Sequence, residues 1–403
     1  MDDGADLLWH EALVDLLHRT RMCQPDEVAG HVSAAAARMG LEVTIYLVDH
    51  EQLSLRALPE HAKPTPDPLP VDDGAAGEAF TLVKTVQAGG GNELQRLWVP
   101  LIDGAERLGV ADVRVSPNLP VDAPLIRRCE TLIGLAGHLV ATKLPYGDAL
   151  HIVRRSRPMS TAAELLLPLL PPLTFSCERL VVSAVLEPAY EVGGDAFDYA
   201  VDGSNAYLAI LDAMGRGLSA GLAAAVALSA LRAARRAGQD LPAMVAAADE
   251  ALSGEFGEAR FVTGVVARLD LDTGLLRYVN AGHPEPVLLR SGRVVDQLAG
   301  GRRLPFGLRD ATPHIGATVL QPMDRLLFHT DGVVEARGAD GRPFGVDRLV
   351  HLTEEHAAAA LPAPETLRRL AHSVLAHQQG PPIDDATLLL LDWSSSAAER
   401  TQP

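Results

Sequence analysis

Apolar positions recur at helical spacing in LLWHEALVDLLHR and again in DEVAGHVSAAAARMG, which predicts two helices within the first forty residues. The pattern then shortens. LEVTIYLVD, QLSLRAL, QRLWVPLID and RLGVADVRV read as strands, with a proline-rich loop, PEHAKPTPDPLPVDDG, among them. Helical spacing returns at Leu125, Cys129, Leu132, Ile133, Ala136 and Leu139. Asp122 is placed to cap that helix and Pro124 to sit in its first turn.

Residues 144–174 break the pattern. Pro145, Pro158, Pro168, Pro171 and Pro172 exclude one unbroken helix. Thr161 and Glu164 have capping-box spacing, so a short helix is expected to restart there and to bury Leu165, Leu166 and Leu169. From about 175 to 393 strands alternate with helices. The strands are RLVVSAVLEPA, AYLAILDA, FVTGVVARLDLD, LLRYVNAG, PVLLRS, DRLLFHTDG and ATLLLLDW; helices are expected at 217–236, 240–253, 346–357 and 364–378. The end, 394–403, reads as a disordered tail.

Composition narrows the class. Apolar residues make up 47% of the 403, enough for sizeable cores, and the net charge of −17 repels phosphate backbones, which argues against nucleic acid as a partner. Cys23, Cys129 and Cys177 are far apart, without the spacing of a zinc site or a disulfide framework; a reduced, cytoplasmic setting is the expectation. The N-terminus lacks the apolar stretch of a signal peptide. The longest uncharged run, Gly217–Leu231, falls short of the ~20 residues a bilayer needs, so it reads as a buried helix and no membrane association is expected.

The chemistry lies where strands meet acids. LAILDAMGRG stops at Asp212 before Gly215, LLFHTDG stops at Asp331 before Gly332, PPIDDATLLLL starts from Asp384 and Asp385, and EVGGDAFDY sets Asp195 after Gly193 and Gly194. Singly, each Asp-Gly end is an ordinary turn. Together, carboxylates converging in one domain would repel one another and raise their own pKa values. A divalent cation removes that cost, and all-oxygen ligands favour magnesium or manganese over zinc. The glycines let the backbone approach such a site closely. A D-x-D phrase at Asp270 and Asp272 precedes Thr273-Gly274 between two alternating strands and reads as a hairpin turn.

The ordered set MSTAAELLLPLLPP, EVGGDAFDY, LDAMGRGLSAG, YVNAGHPEPVLL, LLFHTDGVVEAR and DDATLLLL closely resembles the SpoIIE-type branch of the metal-dependent (PPM) protein phosphatases, across residues 159–393. The first zone resembles a GAF domain, through its element order and the phrases LPVDDGAAGEAF and LWVPLIDGAERLGVADVRV. These resemblances imply an α+β chain: a GAF-like sensor or dimerisation domain at 8–143, a helical linker at 144–174, and an α/β/β/α two-sheet sandwich at 175–393. They imply two Mn2+ or Mg2+ ions and hydrolysis of phosphoserine or phosphothreonine on a regulatory protein of the anti-sigma factor antagonist kind. They also imply a possible small-molecule ligand for the GAF-like domain; a homodimer is expected besides, from the apolar linker leucines.

Carried over, Asp212 bridges both metals and the Ala213 carbonyl adds a ligand, while Asp331 and Asp384 hold the second metal or its waters. Asp195 takes a metal or a metal-bound water, with Asp198 as nearby support; Asp385 competes with Asp384 for its role and ranks below it. Gly193, Gly194, Gly215 and Gly332 shape the surrounding turns. Arg216 stands where a histidine is more usual, and Ala196 is an extra residue that puts Asp198's part in question. His283 is a candidate proton donor but reads better as a structural residue of the Asn280–Pro284 turn. The alternative is a catalytically silent sensor or scaffold; the presence of every core acid speaks against it.

Overall fold

The computed structural model describes residues 3–61, 63–89, 95–191, 193–257, 259–310, 314–378 and 384–394. It divides into two compact units, the boundary falling between Arg157 and Pro158, inside the proline-rich connector.

The first unit is an antiparallel six-stranded sheet, in the order Leu69–Pro70, Ser54–Ala57, Leu41–Val48, Glu106–Val115, Arg96–Asp103, Val86–Ala88 among the described residues. Period-two alternation splits its side chains. Val43, Ile45, Leu97, Val99 and Val113 meet the helices Asp3–Thr20, Val28–Arg38 and Ala123–Lys143. Tyr46, Val48, Trp98 and Val110 face the other way, onto the helix Gly74–Leu82. Asp122 caps its helix as expected, accepting from Leu125 N at 2.9 Å. On the second face Arg107 lies 4.5 Å over the Phe80 ring and donates to Gln52 Oε1 at 2.8 Å.

The second unit is a sandwich of two six-stranded sheets among the described residues. Sheet one runs Arg302–Arg303, Leu275–Ala281, Val262–Asp270, Asn205–Ala213, Asp195–Asp202, with Gly316–Val319 also paired to Leu275–Ala281. Sheet two runs Arg293–Gln297, Val287–Arg290, Asp324–His329, Ala386–Trp393, Leu180–Glu187, Thr174–Cys177. Leu208, Ile210 and Val265 of sheet one meet Val182, Phe328 and Leu389 of sheet two in a shared core. Outside, Leu211 and Val266 bury against the helices Leu218–Arg236 and Leu241–Phe256. Leu327, Leu388 and Leu390 bury against Val346–Ala358 and Ala363–Gln378. The helix–sheet–sheet–helix layering matches the expected α/β/β/α sandwich.

The four expected helices form, with ends shifted by at most three residues. Leu218–Arg236 is the one helix among the described residues long and apolar enough to cross a membrane by length and composition, and Ala220, Ala224, Leu228 and Leu231 pack it into the core. The connector helix starts at Thr161, but its cap is Ser160, whose hydroxyl accepts from Ala163 N at 3.1 Å. The connector leucines are used within the unit: Leu166 is fully buried, and Leu167, Leu169 and Leu170 pack against the same core. Asp270 accepts from the amides of Asp272 and Thr273 at 3.0 and 2.9 Å, so the D-x-D phrase is a hairpin turn. Ser394 is buried; the rest of the expected tail, 395–403, lies outside the described residues.

Candidate active site

Asp195 opens one strand and Asp212 nearly closes its neighbour, and the antiparallel register sets the two opposite each other. Ile210 and Phe197 point into the inter-sheet core, so by alternation Asp212 and Asp195, each two residues away, point to the same side at the sandwich's end. The strand Asp195–Asp202 was not foreseen, because Asp198 and Asp202 obscure an otherwise regular alternation of Phe197, Tyr199 and Val201.

Asp198 is three residues from Asp195, an odd step that turns it to the opposite face. There it joins the helix Leu218–Arg236, paired with Arg232 at 2.6 Å and Arg235 at 2.7 Å. The structure does not bring it to the acid cluster; it ties a helix to a strand. Replacing Asp198 by Ala strands two largely buried guanidinium groups. Expected loss is about 3 kcal/mol of stability, read by urea denaturation, with affinity for Mn2+ unchanged by calorimetry. A large drop in that affinity would return Asp198 to the site.

Sheet two supplies the rest. Asp331 is the first residue of the short helix Asp331–Val334, just beyond the strand Asp324–His329. Asp384 and Asp385 precede the adjoining strand Ala386–Trp393, Asp384 exposed and Asp385 buried. Gly332 makes the two strand ends meet: a Cβ there would lie 1.9 Å from the Asp385 carbonyl oxygen.

The paired glycines have a physical role. The amides of Gly193, Gly194 and Asp195 all donate to Asp385 Oδ2, at 2.6, 2.7 and 3.2 Å. Three successive N–H groups form a nest around a carboxylate. The loop packs tightly besides, since a Cβ on Gly194 would sit 2.7 Å from the Ala213 carbonyl oxygen. Asp385 therefore spends one oxygen latching sheet two to sheet one, whereas the Asp384 carboxylate accepts only the Asp385 amide, at 3.0 Å, among the hydrogen bonds of the described residues. Two threonines complete the latch: Thr330 and Thr387 hydroxyls donate to Asp195 Oδ2 at 2.8 and 2.6 Å. Neither was singled out in the sequence, where both read as ordinary strand-end residues.

The charges are mutually unfavourable. Burial, then Asp331, Asp384 and Asp385, push the Asp212 carboxyl up to about 7. Burial first, then Asp212 and Asp385, hold Asp195 well above the carboxylate range, against the opposing pull of the two threonine hydroxyls. Asp331 is raised by burial, Asp384 and Glu335; Asp385 is raised by burial despite its three amide donors. An all-oxygen cluster of mutually repelling carboxylates fits hard divalent cations. Among the described residues no three of these side chains already close on a single point at ligating distance, so the fit is one of donor chemistry and charge. Clefts of about 500 and 660 Å³ lie beside His377 and Met323, and neither is lined by any of these acids.

The remaining candidates fall around the rim. Gly215 turns at φ +93°, beside the Met214 carbonyl that accepts from Arg260 Nη1 at 3.0 Å. Arg216 is exposed, its backbone against Gly193. His283 is buried, its Nδ1 3.0 Å from Thr263 Oγ1 and its amide held by Asn280 Oδ1 at 2.8 Å. Burial, then the neighbouring His329, lowers its pKa to about 3, so no imidazolium proton is available near neutrality and the turn role stands.

Residues 202–394 match the family model described as Stage II sporulation protein E (SpoIIE). Protein IcfG of Synechocystis sp. is 25% identical over 240 residues, covering 52% of this chain and 37% of that protein. Phosphoserine phosphatase RsbU of Bacillus subtilis is 26% identical over 221 residues, covering 53% and 63%. The chain thus spans less than two thirds of the length of either relative. Among solved structures, the RsbU and RsbW domains of a Mycobacterium tuberculosis protein are 27% identical, over 54% of this chain and 62% of that one, with a TM-score of 0.47.

Proposed function

We propose, from the match of residues 202–394 to the SpoIIE family model, that the chain is a metal-dependent protein phosphatase. Its substrate is phosphoserine or phosphothreonine on a regulatory protein, of the anti-sigma factor antagonist kind, in the cytoplasm. The observation that carries the reading is the gathering of Asp195, Asp212, Asp331, Asp384 and Asp385 from four strand ends and both sheets. Asp195, Asp212 with the Ala213 carbonyl, Asp331 and Asp384 would hold two Mn2+ or Mg2+ ions, and Asp385 would position the 193–195 loop. When bound, such ions supply a nucleophile at neutral pH and neutralise charge on a transferring phosphoryl group. The chain's own part is to gather its carboxylates where a cation would ionise them, fix them through the cross-sheet latch, and keep the glycine loops clear for a phosphorylated side chain to approach.

The first unit, as a GAF-like module at 8–143, would regulate access. On one face of its sheet Arg107 lies over Phe80 and donates to Gln52, packing compatible with a dimerisation role. Exposed Leu7, Val14 and Leu17 on the first helix are compatible with a second copy.

The test is turnover of a generic aryl phosphate, then of a phosphorylated antagonist protein, with Mn2+ and with chelator. Expected are turnover that chelation abolishes and a loss of more than about 10²-fold in Asp331→Asn, beyond the 10–100-fold of losing an outer-shell partner. A folded wild-type protein that binds the phosphoprotein yet turns over neither substrate in any metal would establish a silent scaffold instead.

A further inference from the structure

We propose that Thr330 and Thr387 are positioning residues that hold Asp195 in a single metal-ready pose, by loading both hydroxyl donors onto one carboxylate oxygen. This rests on the metal-dependent reading above.

Both threonines are fully buried. Each sits at the end of a sheet-two strand, on the face turned toward sheet one: Phe328 and Leu389, two residues away in each case, lie in the inter-sheet core. Their hydroxyls cross the gap between sheets and donate to the same atom, Asp195 Oδ2, at 2.8 and 2.6 Å. The two are tied to each other as well. Thr330 N donates to the Thr387 carbonyl at 3.1 Å, and Thr387 N donates to Thr330 Oγ1 at 2.9 Å. The Thr330 hydroxyl therefore accepts from one neighbour, and its one proton has Asp195 Oδ2 at 2.8 Å as the nearer acceptor, with the Asp385 carbonyl oxygen, at 3.4 Å, the longer contact. The backbone of one strand sets the direction of the other's donor.

A carboxylate oxygen has room for two strong donors. With Oδ2 filled, the rotation of the Asp195 carboxylate is fixed and Oδ1 receives none of the hydrogen bonds found among the described residues. Oδ1 is the oxygen left to take a cation. Partners that orient a metal ligand from outside the ligand shell commonly set affinity by 10–100-fold. Serine would supply the same donor as threonine, whereas valine keeps the shape and removes it.

The experiment is Mn2+ binding to the full chain by calorimetry, with circular dichroism to establish folding. Thr330→Val and Thr387→Val are expected to weaken Mn2+ binding by about 10–100-fold. Thr330→Ser and Thr387→Ser are expected to stay within about threefold of wild type, because the donor remains. The double valine variant is expected to lose less than the product of the single losses, since both act on one oxygen. Folded valine variants that bind Mn2+ as wild type does would overturn the clamp and leave the phosphatase reading intact. So would a tenfold loss in a folded serine variant, an outcome that remains readable should the valine variants not fold. Wild-type protein that binds no Mn2+ would overturn both.

Discussion

Asp212→Asn is expected to destroy activity and, in chelator, to make the protein more stable. The loss of activity follows, on the proposed reading, from removing the carboxylate that would bridge the ions, where more than the 10–100-fold of an outer-shell change is at stake; about 10³-fold is the expected scale. The gain in stability follows from linkage. Asp212 titrates near 7 in the folded chain, pushed up by burial and by Asp331, Asp384 and Asp385, against an ordinary 3.8. A carboxyl with a raised folded-state pKa keeps its proton after the unfolded chain has released its own. Its contribution is whole below about 3.8 and is lost as pH rises to about 7. Above that, the ionised group costs up to about 4 kcal/mol, three pKa units at 1.36 kcal/mol each. Asparagine keeps the shape and carries no charge. Urea denaturation in chelator should therefore show Asp212→Asn gaining on wild type between pH 4 and pH 8, and saturating Mn2+ should reverse the order. An asparagine variant less stable than wild type at pH 8 without metal would show that the carboxylates do not repel one another as the fold implies.

Gly332→Ala is expected to cost at least about 3 kcal/mol, as severe overpacking does. By propensity alone the substitution should help, because alanine inside a helix is favoured over glycine by about 0.5–1 kcal/mol. The contact decides the sign. The added Cβ would stand 1.9 Å from the Asp385 carbonyl oxygen, and that atom is backbone, unable to rotate away. Relief requires the ends of two neighbouring strands to part, which displaces Asp331, Asp384 and Asp385 together. A fall in melting temperature of about 6–12 °C is expected for a unit of this size, with Mn2+ binding lost in the folded remainder. Gly254→Ala is the control. It lies in the helix Leu241–Phe256 with nothing within 4 Å of its would-be Cβ, and should stabilise by up to about 1 kcal/mol. Equal melting temperatures for Gly332→Ala and wild type would mean that the two strand ends do not meet as described.

Much of this was readable from the chain. The apolar runs of the second unit that end in acids are strands; the two sheets with helices outside follow from the family resemblance of the ordered motifs, not from the apolar pattern, and the structure has them. The D-x-D turn was readable because Thr273-Gly274 follows it, and Gly274 takes φ +72°. Asp198 shows where a motif misleads. Its closeness to Asp195 in the chain suggested a shared site, although an odd spacing in a strand already assigns opposite faces. The partners that reveal its part, Arg232 and Arg235, lie more than thirty residues away on a helix. Thr330 and Thr387 carry no sequence signal of their own. Their parity with core-facing Phe328 and Leu389 marks the face they occupy, but what they meet there depends on how the sheets stack. The glycine pair reads as leaving space for an ion, but its amides are held by a carboxylate of the chain itself, 192 and 191 residues further on.

Because one aspartate of sheet two is gripped by three consecutive amides of sheet one, the sandwich carries its own alignment gauge. Were the layers to slip along one another, or the strand Ala386–Trp393 to shift by a single residue, the grip would open and the acids would scatter before the greasy interior noticed. Loss of divalent-ion affinity should therefore precede loss of secondary structure on mild denaturation, a vernier reading of how the two halves sit.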